Sequence, residues 1–179
     1  KMSSPLSAPE ACSRLSVQLA SGRLSMRTVV QSTWRAQQEA KTWPAERRRT
    51  WPKALDAFQS RLHWHCHFMQ KFESEPELEH RNMARSCDGL RENDFAEAKF
   101  QAWCTGHTGY PFIDACMRFL IAEGWINFRM RAMLVSFAAY DLWLHWQRPA
   151  HHLAQLFIDF EPGIHYPQVQ MQSGTTGIN

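Results

Sequence analysis

Apolar residues at helical spacing, bracketed by proline and glycine where helices start and stop, constrain this chain more than any other feature. Thr50 and Pro52 open one helix, and Leu55, Phe58, Leu62 and Met69 form its apolar stripe. Ser7 and Pro9 open an earlier helix that Gly22 stops. Ser25 can cap the next, to about Lys41, with Val29, Val30 and Trp34 on one side. Asp94 is expected to cap a short helix through Trp103, and Pro111 stands first in a helix that ends at Glu123 before Gly124. A long helix is expected from about Trp125 to Trp146, with Met133, Phe137, Tyr140 and Leu144 on a common face. Pro149 opens a last helix to Phe160. No stretch alternates as a strand and no segment repeats. The expected fold class is all-α, with short helices separated by real turns and so not a two-stranded coiled coil.

Two stretches carry no helical signal. Residues 73–93, where Glu73, Glu75, Glu77 and Glu79 alternate, read as a solvated connection with at most a short helical turn. The C-terminal stretch LFIDFEPGIHYPQVQMQSGTTGIN finishes one apolar face and then keeps no period of 3.6 or 2. It is expected to be an irregular surface loop, of the long ordered kind that carries function.

The length of 179 residues suits one domain with a buried core. No apolar run reaches 18 residues, so no transmembrane helix and no membrane partner are expected. Five cysteines (Cys12, Cys66, Cys87, Cys104, Cys116) lack CxxC spacing, which points to reduced thiols in a cytoplasmic or nuclear protein. The net charge of +3 is uneven: residues 1–53 carry ten Lys/Arg against three acids, the remainder ten against fourteen. The run Glu46-Arg47-Arg48-Arg49 reads as a solvated basic turn or as a phosphate contact to nucleic acid. The eight tryptophans suit a helical core, flat-ring binding or electron transfer.

His63 and His67 share a helix face at i, i+4, as a zinc pair would, but no acid or third ligand follows at a recognised spacing. A polar helix edge is the expected reading, with no metal. Ser13, Arg14, Leu15 and Ser16 offer hydroxyls and a guanidinium that could hold phosphate. Arg129 and Arg131 point different ways on a helix, so one can face inward. A buried arginine needs an anion, for which Asp159 and Glu161 are the candidates. No Gly-x-Gly-x-x-Gly, Walker loop, Gly-x-Ser-x-Gly or His-Glu-x-x-His occurs, which leaves hydrolase and nucleoside-triphosphatase readings unsupported.

Taken in order, four blocks resemble the FAD-binding helical domain of the photolyase/cryptochrome flavoproteins. They are CSRLSVQLASGRLSMR, SRLHWHCHF, WCTGHTGYPFIDACMRFLIAEGWINFRMR and the C-terminal stretch, and the third is specific enough to carry the assignment by itself. The resemblance runs from about residue 11 to the end. It implies a single, partial helical FAD-binding domain over residues 1–179, without the α/β antenna-binding domain and later helices usual in the family.

The resemblance also implies roles. Ser13, Arg14, Leu15 and Ser16 match the segment holding the FAD phosphates, with Cys12 in place of a threonine. Phe58 falls beside the flavin, Trp125 in the pocket wall, and Arg131 with Asp159 at an ion pair against the isoalloxazine. Glu161 matches an acid at the flavin edge, and His165 stands where an asparagine usually faces flavin N5. Trp64 matches a tryptophan that stacks on the lesion, Arg129 a contact to DNA phosphate, and Trp146 the middle member of an electron relay. The departures are Arg61 for a lesion-binding glutamate, Phe128 for an asparagine, and Val169 and Met171 for tryptophans. The implied function is photolyase-like repair of pyrimidine dimers in DNA by electron transfer from reduced FAD, that of a carbon–carbon lyase. The alternatives are a cryptochrome-like photosensor acting on a protein partner, or a truncated module that does not retain FAD.

Overall fold

The computed structural model describes residues 4–177, and within them every regular element is helical. The chain runs through α1 (Ala8–Ala11), α2 (Ser16–Ala20), α3 (Met26–Thr42), α4 (Ala45–Arg48) and α5 (Trp51–Ser74). Two 3₁₀ turns, Pro76–Glu79 and Arg85–Cys87, lead to α6 (Glu97–Cys104), α7 (Pro111–Glu123) and α8 (Phe128–Ser136). A π turn, Phe137–Asp141, extends α8, and α9 (Gln147–Leu156) and α10 (Pro162–Ser173) complete the fold. The all-α class expected from the sequence is the class found.

The core lies between α6, α7, α8 and α9, with Trp103, Met117, Leu120, Leu134, Leu144 and Leu153 fully enclosed. Trp103 combines apolar burial with a satisfied polar tip, because its Nε1–H donates to the Leu134 carbonyl at 3.1 Å. Enclosing a ring of roughly 150–250 Å² contributes about 4–6 kcal/mol before entropy costs, at about 25 cal/mol per Å². The α10 helix packs on α5 and α8 and so closes the core on the side that matters for the site. Its approach to α5 depends on Gly163, where a Cβ would lie 2.8 Å from Met69 Sδ and 3.3 Å from Met69 Cα.

Several boundaries differ from expectation, each for a local reason. The helix expected from Ser7 to Gly22 is broken at Cys12, which is extended, and at Arg14, which adopts φ 53. The helix expected over 125–146 starts only at Phe128, because Trp125 to Asn127 form a buried approach, and it ends through the π turn. Tyr140 consequently turns outward, 45% exposed, instead of joining Phe137 and Leu144 inside. Asp94 is not a cap: α6 starts after Ala96 without a side-chain cap. The last apolar helix stops at Leu156, not Phe160, since Phe157 is extended. Ser25 does cap α3, accepting from the Thr28 amide at 3.1 Å.

The two stretches without helical signal are not what their composition suggests. Residues 73–93 are only partly solvated, since Leu78, Asn82 and Arg91 are buried. Arg91 donates to the carbonyls of Ala139 at 2.7 Å and Ser173 at 2.6 Å, fastening the ends of two helices. The stretch expected to be an irregular loop is largely α10, opened by Pro162 and closed by Gly174 in the left-handed conformation. It shows no apolar stripe because it is buried on nearly all sides, through Gly163, His165, Tyr166, Pro167, Val169, Gln170 and Ser173. Gln170 occupies that interior at no polar cost: its amide donates to Leu78 and Arg81 carbonyls and accepts from the Met83 amide.

Candidate functional site

The site grows from a backbone joint. Gly124 ends α7 at φ 65, where a side chain is disfavoured, and a Cβ there would stand 2.6 Å from Ile158 Cγ2. The Ile158 amide donates to the Gly124 carbonyl at 2.9 Å, so the end of α7 and the turn after α9 are held together. One residue beyond each partner stand Trp125 and Asp159, both buried.

Arg131, in the first turns of α8, closes that joint with its side chain. Its Nε donates to the Ile126 carbonyl at 2.7 Å and its Nη2 to Asp159 Oδ2 at 2.8 Å. Its guanidinium lies 4.1 Å above the Phe157 ring. The Asp159 side chain is 2% exposed and that of Arg131 24%, so the carboxylate depends on this one cation. Asp159 Oδ1 is buried with no hydrogen-bond partner among the described residues, an acceptor left for a donor from outside. Arg129, two positions away, faces solvent.

Arg131 also lines a cavity of about 70 Å³, together with Phe128, Val135, Phe157, His165 and Val169. Its exposed wall is mainly apolar, with Arg131, His165, Gln168 and Gln172 as the polar residues of the lining. His165 is 8% exposed, and its Nε2 lies 2.8 Å from the Ala150 carbonyl. A carbonyl only accepts, so Nε2 carries the proton and Nδ1 is left as a lone pair. Burial pulls the imidazole down to about 4; the Ala150 bond opposes the shift and the Arg131 charge adds to it. His165 is therefore neutral at physiological pH.

The remaining expected residues stand around this slot at different depths. Ser13 is exposed and Leu15 half-buried in the turn between α1 and α2, Ser16 is exposed at the start of α2, and the Arg14 guanidinium lies 4.8 Å over the Trp125 ring. The turn is thereby tied to the site through Trp125. On α5, Phe58 is half-buried and Arg61 exposed, and Trp64 is 49% exposed, packed on His67 and Phe68. Glu161 is the half-buried residue before α10, and its charge reaches His65 on α5, whose pKa burial lowers against that charge. Trp146 is 2% exposed, and its Nε1–H donates to Asn82 Oδ1 at 2.7 Å. Val169 lines the slot and Met171 is exposed.

Four polar residues to which the sequence assigns no role stand in these surroundings: His65, Glu79, Asn82 and Gln170. Tyr166, 4% exposed on α10, donates its hydroxyl to Glu79 Oε1 at 3.1 Å. Only the i, i+4 spacing of Tyr166 and Gln170 could have shown that one face of α10 holds the segment around Glu79. Among the described residues no group of three or more His, Cys, Asp or Glu could hold a metal ion, and no helix is long and apolar enough to cross a membrane.

Comparison with known proteins agrees with this architecture. The family described as the FAD binding domain of DNA photolyase matches residues 58–179, and the chain belongs to it. A deoxyribodipyrimidine photo-lyase of Alkalihalophilus pseudofirmus is 29% identical over 152 residues, 84% of this chain and 29% of that protein. A cryptochrome DASH of Idiomarina loihiensis is 32% identical over 83 residues, 46% of this chain and 18% of that protein. The crystal structure of a class III photolyase from Agrobacterium tumefaciens superposes with a TM-score of 0.81 at 25% identity, covering 97% of this chain and 33% of that one. The chain thus spans about a third of the length of the relatives it matches.

Proposed function

We propose that this chain is the flavin-holding part of a light-driven enzyme that splits pyrimidine dimers in DNA, as the name of its photo-lyase relative describes for that protein. The residues present fit FAD: a paired guanidinium, an unpartnered buried carboxylate oxygen and apolar walls suit the edge and faces of a polar aromatic ring system. Bound FAD supplies the light-absorbing and electron-donating chemistry. Arg131 holds positive charge against the ring system, and Asp159 keeps that charge in position. His165, neutral and with Nε2–H committed to Ala150, offers only an acceptor at Nδ1. Ser13, Arg14 and Ser16 are the groups suited to the cofactor's phosphates. The slot of about 70 Å³ receives only part of such a molecule, since drug-sized ligands fill roughly 300–1,000 Å³.

Phe128 carries the repair reading. It lines the slot and yet is 57% exposed, with Arg129 exposed beside it. An exposed ring and an exposed cation at the mouth of a cofactor slot are what a flipped-out base and its phosphate require. Trp64 supplies a second exposed ring on α5. A sensing role without repair is favoured by two departures: Arg61, where a lesion-binding glutamate would stand, presents a cation to solvent, and Phe128 stands in place of an asparagine.

The test is to load the chain with FAD, reduce it, and illuminate it with single-stranded DNA containing pyrimidine dimers. Light-dependent loss of dimers is expected, and Trp64→Ala should weaken binding of that strand about 5- to 150-fold, the value of one stacked base at about 1–3 kcal/mol. A yellow protein that responds to light but removes no dimer refutes repair and leaves sensing; a protein that takes up no FAD refutes both.

A further inference from the structure

We propose that Tyr166, with Glu79 as its proton acceptor, is the residue that gives up an electron when a flavin bound at the Arg131 slot is photoreduced. The inference rests on the flavin reading above. The rings lining the slot are Phe128, Phe157 and His165, and phenyl groups and a neutral imidazole are poor one-electron donors. The first readily oxidised ring in contact with them is Tyr166. Its centroid lies 5.2 Å from His165 and 6.2 Å from Phe160, which is itself 5.3 Å from His165. Ring contacts therefore run unbroken from the slot to the phenol.

A buried phenol loses an electron only if its proton can leave, because the oxidised phenol is a strong acid. Tyr166 is closed in by Phe72, stacked at 6.4 Å, and by His151, edge-on at 6.1 Å. Its hydroxyl points at Glu79 Oε1, 3.1 Å away. Burial first, and the Glu79 carboxylate second, push the phenol up to about 12. The Glu79 side chain is 37% exposed, with His80 Nε2 3.9 Å from its other oxygen, so a proton received there can pass to water. Gln170, one turn after Tyr166 on α10, grips the Leu78 and Arg81 carbonyls and holds Glu79 in place. Trp146 differs in chemistry: its Nε1–H meets the Asn82 amide oxygen, which is no base for a proton.

The step balances. Tyr166 would give one electron to a photo-excited oxidised flavin held at the slot. The phenolic O–H bond breaks, its proton goes to Glu79 Oε1, and a neutral phenoxyl radical remains. A thiol in solution would then return a hydrogen atom to the phenoxyl, the resulting thiyl radicals would pair as a disulfide, and Glu79 would release its proton to water.

The test uses the FAD-loaded chain under blue light with excess thiol, following bleaching of oxidised flavin. Tyr166→Phe and Glu79→Gln should each bleach at least about tenfold more slowly, a barrier increase of about 1.4 kcal/mol. The double variant should be no slower than Tyr166→Phe. Two readouts do not depend on turnover. A phenoxyl radical signal in frozen illuminated samples should vanish in Tyr166→Phe. In the apoprotein, one phenol titrating near 12 should fall in Glu79→Gln yet stay above the ordinary tyrosine value, because burial, the larger cause, remains. Wild-type bleaching by a yellow Tyr166→Phe protein overturns the proposal. If Tyr166→Phe does not fold, unchanged bleaching in Glu79→Gln, a change at a partly exposed position, overturns it instead. A colourless wild type points to failure of the flavin reading itself.

Discussion

Replacing Arg131 by methionine tests the energetic centre of the site without any cofactor. The change keeps much of the aliphatic volume and removes the one cation bonded to a carboxylate whose side chain is 2% exposed. Removing one partner of a buried pair costs about 3–5 kcal/mol, because the other charge stays buried and unpaired. Arg131 is itself 24% exposed, which favours the lower end, while loss of the Ile126 bond at 2.7 Å and the Phe157 contact at 4.1 Å pushes upward. For a chain of this length that corresponds to a fall in Tm of roughly 6–20 °C. Asp159→Asn should cost less, because the cation it strands reaches solvent. Arg131→Met with Asp159→Leu should recover most of the loss, since it leaves no buried charge. Urea unfolding of the four proteins at pH 7 measures all of this. A loss below about 1 kcal/mol for Arg131→Met, or a larger loss for Asp159→Asn, would refute the reasoning.

Two further outcomes follow from particular contacts. His165 sits at about 4 when folded against about 6.5 when unfolded, so its contribution is complete above pH 6.5 and is lost as pH falls toward 4. At 1.36 kcal/mol per pH unit that is about 3 kcal/mol of acid sensitivity, which His165→Gln should remove from the unfolding free energy measured across pH 4–7. Gly163→Ala should cost about 1–3 kcal/mol by overpacking against Met69, and Met69→Ala in the same chain should relieve part of it; chemical denaturation with no loss on Gly163→Ala would contradict the close approach of α5 and α10.

Helices whose burial is one-sided are legible in the sequence. α3, α5 and α7 start within a residue or two of Ser25, Pro52 and Pro111, and α7 ends at Gly124, because an apolar face and these local signals decide them. α10 is not legible, for the opposite reason. A helix buried all round has no stripe, and its interior glutamine, histidine and tyrosine look like surface residues until their partners are known. Those partners are backbone carbonyls at Leu78, Arg81 and Ala150 and a carboxylate at Glu79, all far away in the chain. The break at Arg14 likewise belongs to tertiary structure: a left-handed arginine costs about 1 kcal/mol locally and is held where its guanidinium meets Trp125.

The same distinction runs through the site. A charge buried on a helix demands an opposite charge, so electrostatics narrows the pair to Arg129 or Arg131 with Asp159 or Glu161, and the family resemblance singles out Arg131 with Asp159. Neutral polar groups make no such demand on any particular residue type, because a carbonyl anywhere in the chain can satisfy them. That is why Arg131 is readable and Gln170 is not, although Gln170 fixes the segment bearing Glu79 just as firmly. It also explains the arrangement along α10. Glu161, His165 and Val169 recur every four residues, and the last two line the slot, while Tyr166 and Gln170, each one position later, face the turn at 78–83. One helix thus presents a slot-facing edge and a Glu79-facing edge about 100° apart, so the electron and the proton of Tyr166 would leave in different directions in the proposed step.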